Sequence, residues 1–148
     1  MTINILLVED DPGDVALIEE SFASLGINVA LPIVNAGDEA LAFLRGQPPY
    51  AGLTQPDLTL LDLNLPRMGG LEVLEEIAAD PALRGVPVVV FTSSSSPRDI
   101  TLSYRHGANC FITKPDDYSS YRGVIDSIER FWLQAVTLPP RRAIAAMP

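Results

Sequence analysis

Residues 3–11 read INILLVEDD: a six-residue run, Ile3 to Val8, apolar at five positions, and then three acids, Glu9, Asp10 and Asp11. Apolar side chains at successive positions cover both faces of a strand. That suits a parallel sheet buried on two sides better than a half-exposed antiparallel one. Four more runs have the same character: Ile27 to Val34 (INVALPIV), Leu58 to Leu61 (LTLL), Val86 to Phe91 (VPVVVF) and Cys110 to Thr113 (CFIT). Their centres recur at intervals of roughly 25 residues, about one strand plus one helix each.

Helical patterns fill the gaps. Val15, Ile18, Phe22 and Leu25 lie on one helical face, with Gly26 as a stop. Ala40, Leu41 and Leu44 repeat the pattern up to Gly46, and Leu71, Leu74, Ile77 and Ala78 do so up to Asp80-Pro81. A fourth helix opens at Ser96-Pro97-Arg98-Asp99: a cap residue, a proline in the first turn and an acid three residues on. The fifth carries Tyr121, Val124, Ile125, Ile128 and Phe131 or Trp132. Strict alternation of strand and helix with short links predicts a doubly wound α/β fold, a five-stranded parallel sheet with helices on both faces. Gln47 to Pro56 reads as a proline-rich surface loop. We expect one domain over residues 1–138 and a tail over 139–148, too short to fold alone or to hold an output domain.

Composition narrows the function. The 148 residues carry 10 basic and 19 acidic side chains, a formal charge of −9. An acidic chain without a basic run lacks the footprint of a nucleic-acid binder. One cysteine, Cys110, and one histidine exclude an internal disulfide and a structural zinc site. Acids follow the first apolar run at once, unlike a signal peptide, and no stretch reaches the 18 or so apolar residues of a membrane span. The expectation is a cytoplasmic protein without membrane or nucleic-acid partners.

In such a sheet, function gathers at the carboxyl ends of the strands. There the sequence places Glu9-Asp10-Asp11, then Asp62, Thr92-Ser93 and Lys114-Pro115. Singly each has an ordinary reading: Asp11 before Pro12 as a helix cap, Glu9 and Asp10 as solvated acids, Thr92 as a strand residue, Lys114 as a surface lysine. Together they bring three carboxylates, a hydroxyl and an ammonium to one mouth. Carboxylates that face one another need a cation. A hard divalent ion with oxygen ligands, Mg²⁺ by default, meets that need, with Asp10 and Asp62 as direct ligands, the Asn64 carbonyl as a third and Glu9 acting through water. Lys114 supplies the remaining charge, worth about 4 kcal/mol of gross attraction at 4 Å and an effective dielectric near 20. It is the chain's single lysine, among nine arginines.

VEDD after the first strand, LLDLNLP around Asp62, FTSS at Thr92 and TKP at Lys114 resemble the receiver domain of two-component response regulators, over about residues 1 to 135. The resemblance implies the (βα)5, flavodoxin-like receiver fold and transfer of a phosphoryl group from a histidine kinase onto Asp62. It makes Asp62, Lys114 and Thr92 the reacting set. The Thr92 hydroxyl, the Ser93 N–H and Lys114 would bind phosphoryl oxygens, and Thr92 with Phe111 would form a switch reshaping the surface of the fourth helix, fifth strand and fifth helix. It also makes Pro115 a candidate cis residue. EDDPGD, the long loop before PDLTLLDLNLP and RFWLQAVTLP resemble more narrowly the single-domain regulators that partner phytochrome-type histidine kinases. That implies a red-light receptor kinase as partner and a homodimer through the fifth strand and helix, where Tyr118, Tyr121, Phe131 and Trp132 lie.

Rival readings fit less well. Aspartate-nucleophile phosphohydrolases resemble a DxDxT pattern after the first strand, whereas here the nucleophile candidate follows the third. Nucleotide-binding glycine motifs are absent, and a flavodoxin-like carrier needs a hydroxyl- and glycine-rich loop where this chain has acids. A degenerate receiver would lack some of the acceptor-site residues, all of which are present. Self-phosphorylation from small phosphodonors and autodephosphorylation are the only catalysis expected. Asn64 and Ser94 are expected to flank the path of attacking water.

Overall fold

The computed structural model describes residues 2–140. Its strands are β1 (Ile3–Val8), β2 (Val29–Ala30), β3 (Ile33–Val34), β4 (Leu58–Leu61), β5 (Val88–Thr92) and β6 (Cys110–Thr113). The helices are α1 (Pro12–Ala23), α2 (Gly37–Leu44), α3 (Gly70–Ala79), α4 (Pro97–Arg105) and α5 (Tyr118–Ile128). All pairings are parallel, in the order β2-β1-β4-β5-β6, with β3 also on β1.

The second predicted strand, Ile27 to Val34, is thus two short pieces on one edge position. Pro32 has no N–H to give the ladder, so pairing lapses there. Its carbonyl still accepts from Leu7 N at 2.9 Å, which keeps the segment along β1. Pro87 similarly delays β5 to Val88, two residues after the predicted start, although the Pro87 carbonyl accepts from Thr59 N at 3.0 Å.

Successive side chains of a strand point to opposite faces, and the core divides accordingly. Leu6 and Val8 pack with Leu41, Leu44, Val73 and Leu74 of α2 and α3. Ile5 and Leu7 pack with Ile18, Phe22, Tyr121 and Ile125 of α1 and α5. Two covered faces explain why the strands read as continuous apolar runs. The helix signals hold as well. Asp11 Oδ1 accepts from Gly13 N at 2.8 Å, and Ser96 Oγ from Asp99 N at 3.2 Å, each capping a helix that starts with proline. Gly46, at φ 66°, lets Gln47 N reach back to the Ala42 carbonyl at 2.9 Å and closes α2.

Two features depart from the helical pattern. After α5 the chain continues over Glu129–Ala135 as a π-helix, and Val136 N bonds to the Phe131 carbonyl five residues back, at 2.8 Å. Helix α4 buries only Ser103 fully, so it rides lightly on α3 and β6. The Gln47 to Pro56 segment is a loop as expected. Of the tail expected over 139–148, Pro139 and Pro140 lie beside Pro56 and Pro87 at the amino end of the sheet, and the rest lies outside the described residues. Among the described residues no helix is long and apolar enough to cross a membrane.

Candidate functional site

Glu9 and Asp10 follow β1, Asp62 follows β4, Thr92 ends β5 and Lys114 follows β6. Since β1, β4, β5 and β6 are parallel and adjacent, all four ends open onto one cleft. Asp10, Asn64 and Ser93 line it together with the acids and Lys114. Carboxylate oxygens of Glu9, Asp10 and Asp62 lie within 4.8 Å of one another. Lys114 Nζ sits among the acids, 2.6 Å from Glu9 Oε1, 2.9 Å from Asp62 Oδ2 and 3.0 Å from Asp14 Oδ2. The ammonium and the Glu9 and Asp62 side chains are all buried, while Asp10 is exposed.

The backbone turns hold these groups in place. Asp62 Oδ1 accepts from Asn64 N at 3.1 Å, and Glu9 Oε2 from Asp11 N at 3.1 Å. Gly70 backs directly onto this turn: a Cβ there would stand 2.4 Å from the Asp62 carbonyl oxygen. Burial, together with the charge of Asp62, pushes the Glu9 carboxyl up to about 7 against the hydrogen bond from Lys114. At Lys114 the balance is reversed. Burial alone would lower its pKa, but the hydrogen bonds and charges of Glu9 and Asp62 prevail and hold it above the ordinary lysine range. The lysine therefore stays cationic among the acids.

Thr92 Oγ1 is buried at the end of β5 and makes no hydrogen bond. A buried hydroxyl without a partner is uncommon, and it marks a place where an anion's oxygen would be welcome. The acids offer only oxygen donors, the set that hard divalent cations prefer. A buried carboxylate, an acid set fit for a cation, an unbonded hydroxyl and an ammonium together suit phosphoryl transfer, which asks for positioning and charge neutralisation.

Residues 5–125 match the family model of the response regulator receiver domain. The chain belongs to that family. It is 43% identical over 135 residues to the response regulator Rcp1 of Synechocystis sp., covering 91% of this chain and 92% of Rcp1. Among solved structures, the phosphorylated cyanobacterial phytochrome response regulator RcpA superposes with a TM-score of 0.91 at 44% identity, covering 95% of this chain and all of RcpA. The Mn²⁺-bound form of Rcp1 superposes at 0.89 with 42% identity, covering 93% and 99%. A receiver of this kind takes a phosphoryl group from a histidine kinase and binds a divalent metal.

Three details of the receiver's site differ from expectation or were not foreseen. The Lys114–Pro115 bond is trans, and the cis proline bond of the described residues lies at Pro48–Pro49. Asn64 lines the cleft, but the Ser94 hydroxyl is turned away to Asp99 Oδ2, 2.6 Å off at the start of α4. Asp14, to which the sequence assigned no role, and Tyr121, placed by the sequence on the fifth helix, reach Lys114 as a chain: Tyr121 Oη donates to Asp14 Oδ1 at 3.1 Å, and Asp14 Oδ2 accepts from Lys114 Nζ at 3.0 Å. The available signal was spacing, since Asp14 stands one turn past the Asp11 cap and so faces the same cleft.

Proposed function

We propose that Asp62 is the residue that accepts the phosphoryl group. The observation that carries this reading is the Lys114 ammonium, 2.9 Å from the Asp62 carboxylate in a buried acid cluster. A carboxylate oxygen of Asp62 attacks phosphorus, an O–P bond forms as the P–N bond of the kinase's phosphohistidine breaks, and the imidazole leaves with the electron pair and takes up a proton. Lys114, the Thr92 hydroxyl and the Ser93 N–H bind the phosphoryl oxygens. Asp10, Asp62 and the Asn64 carbonyl, with Glu9 behind them, would hold Mg²⁺, which would supply positive charge to offset that developing on those oxygens.

The kinase is of phytochrome type, a reading supported by the likeness to Rcp1 and to the phytochrome regulator RcpA along nearly their whole length. The receiver comprises residues 1–138 and works in the cytoplasm, as suits a chain with a lone cysteine. Thr92 and Phe111 form the switch. The Phe111 ring is partly buried against the α3 side of the core, and its N–H donates to Tyr104 Oη of α4 at 3.1 Å. A shift of the ring therefore bears on a helix with little buried surface of its own. A homodimer forms across β6, α5 and the π-helix that continues α5, where Ile112, Val124, Phe131 and Trp132 line an apolar groove and Phe131 is 55% exposed.

Incubation with Mg²⁺ and a small phosphodonor tests the acceptor. The intact mass should rise by one phosphate in the wild type and not in Asp62→Asn. No gain from either a donor or a phytochrome-type kinase would sink the proposal.

A further inference from the structure

An ammonium has three protons to donate, and Lys114 directs all three to carboxylates: Glu9, Asp62 and Asp14. Glu9 and Asp62 belong to the acid set suited to a metal. Asp14 stands outside that set, in the first turn of α1. Its side chain is 21% exposed, so water already solvates it, whereas the Lys114 side chain is 7% exposed and depends on its partners. The other Asp14 oxygen is held by Tyr121 Oη. Tyr121 is itself buried on α5, with its ring edge-on to Phe91 at 5.3 Å. The lysine is thus tied through Asp14 to two helices on one face of the sheet.

We propose that Asp14 is a positioning residue for Lys114, and that Tyr121 positions Asp14. The proposal rests on the reading of Asp62 as acceptor. When Asp62 becomes an acyl phosphate its carboxylate is no longer a free anion, and the proton it held on Lys114 turns to a phosphoryl oxygen. The other two protons stay on Glu9, at the end of β1, and on Asp14, on α1. Two carboxyl groups then aim the flexible four-carbon stem from different sides. With the Asp14 charge removed, Glu9 is the single carboxyl anchor left and the ammonium loses its direction.

The test is the rate of phosphate gain in Mg²⁺ and phosphoramidate, followed by mass on the full chain, for the wild type, Asp14→Asn, Tyr121→Phe and the double variant. Misplaced catalytic groups lose rate steeply, so Asp14→Asn should be about tenfold slower. Tyr121→Phe, missing one hydrogen bond, should be about threefold slower alone. It should cause no further slowing in the Asp14→Asn background, since it acts through Asp14. Asp14→Glu, which keeps the charge, should recover part of the rate. Wild-type speed in Asp14→Asn, or equal slowing by Tyr121→Phe in both backgrounds, would overturn the proposal. If Asp14→Asn does not fold, Tyr121→Phe at wild-type speed overturns it instead. A wild type that gains no phosphate, or an Asp62→Asn variant that gains it as before, would refute the acceptor assignment itself.

Discussion

Thr92 ends β5 with a buried side-chain oxygen that makes no hydrogen bond. Burying such a group costs about 1–3 kcal/mol. Thr92→Val keeps the shape and removes the oxygen, so without phosphate the variant should melt about 3 °C higher, the equivalent of about 1 kcal/mol. Its response to phosphorylation should be lost. Thermal denaturation decides the first point, and a lower melting temperature would mean that the hydroxyl is bonded after all. Cys110 makes a separate prediction. Burial pushes its thiol above the ordinary value of 9.0, against a hydrogen bond from Trp132. The thiolate is the reactive form. Iodoacetamide should therefore label the folded protein more slowly than the urea-unfolded chain at pH 8, with the midpoint of the pH–rate profile moved alkaline. The sign for stability follows: this group's contribution is intact at neutral pH and is lost as pH rises through the folded pKa. Equal labelling rates would show that the thiol is not protected.

Among the elements, two glycines should respond in opposite directions. A Cβ on Gly70 would lie 2.4 Å from the Asp62 carbonyl oxygen and 2.7 Å from Leu63 Cα, both backbone atoms that yield only if the turn moves. Gly70→Ala should cost about 2 kcal/mol and slow phosphate gain by shifting Asp62. Gly123, inside α5, has nothing within 4 Å of a Cβ, so Gly123→Ala should add about 0.5–1 kcal/mol. Urea melts of the two variants check both signs. The contrast shows why elements are easier to read than their contacts. The caps at Asp11 and Ser96 and the stop at Gly46 are local, and their residues declare them. The split at Pro32 is local too, but the apolar run around it conceals the missing donor. The approach of Gly70 to Asp62, and of Tyr121 to Asp14 107 residues away, depends on how α3 and α5 pack. No pattern along the chain encodes such a meeting.

At the scale of the whole molecule, the strand-end residues were legible because parallel topology sends every carboxyl end to one side. Four short motifs sufficed to gather Glu9, Asp10, Asp62, Thr92 and Lys114. What topology leaves open is which neighbour fills a third hydrogen bond, and there Asp14 entered. The apolar groove over β6 and α5 carries a further prediction. Light scattering should find a dimer at tens of micromolar, and Phe131→Glu should return it to a monomer, since the charge would be buried without a partner. A wild-type monomer with and without phosphate would refute that interface.

Phosphorylation of Asp62 leaves a chemical mark that can be read directly. Borohydride reduces an acyl phosphate on aspartate to homoserine and so marks its position. After phosphorylation in Mg²⁺, reduction and peptide sequencing by mass, homoserine should appear at position 62 and at no other acid of the cleft. Homoserine at Asp10 or Asp14, its one-carbon-longer homologue 5-hydroxynorvaline at Glu9, or neither product in phosphorylated protein, would contradict this assignment.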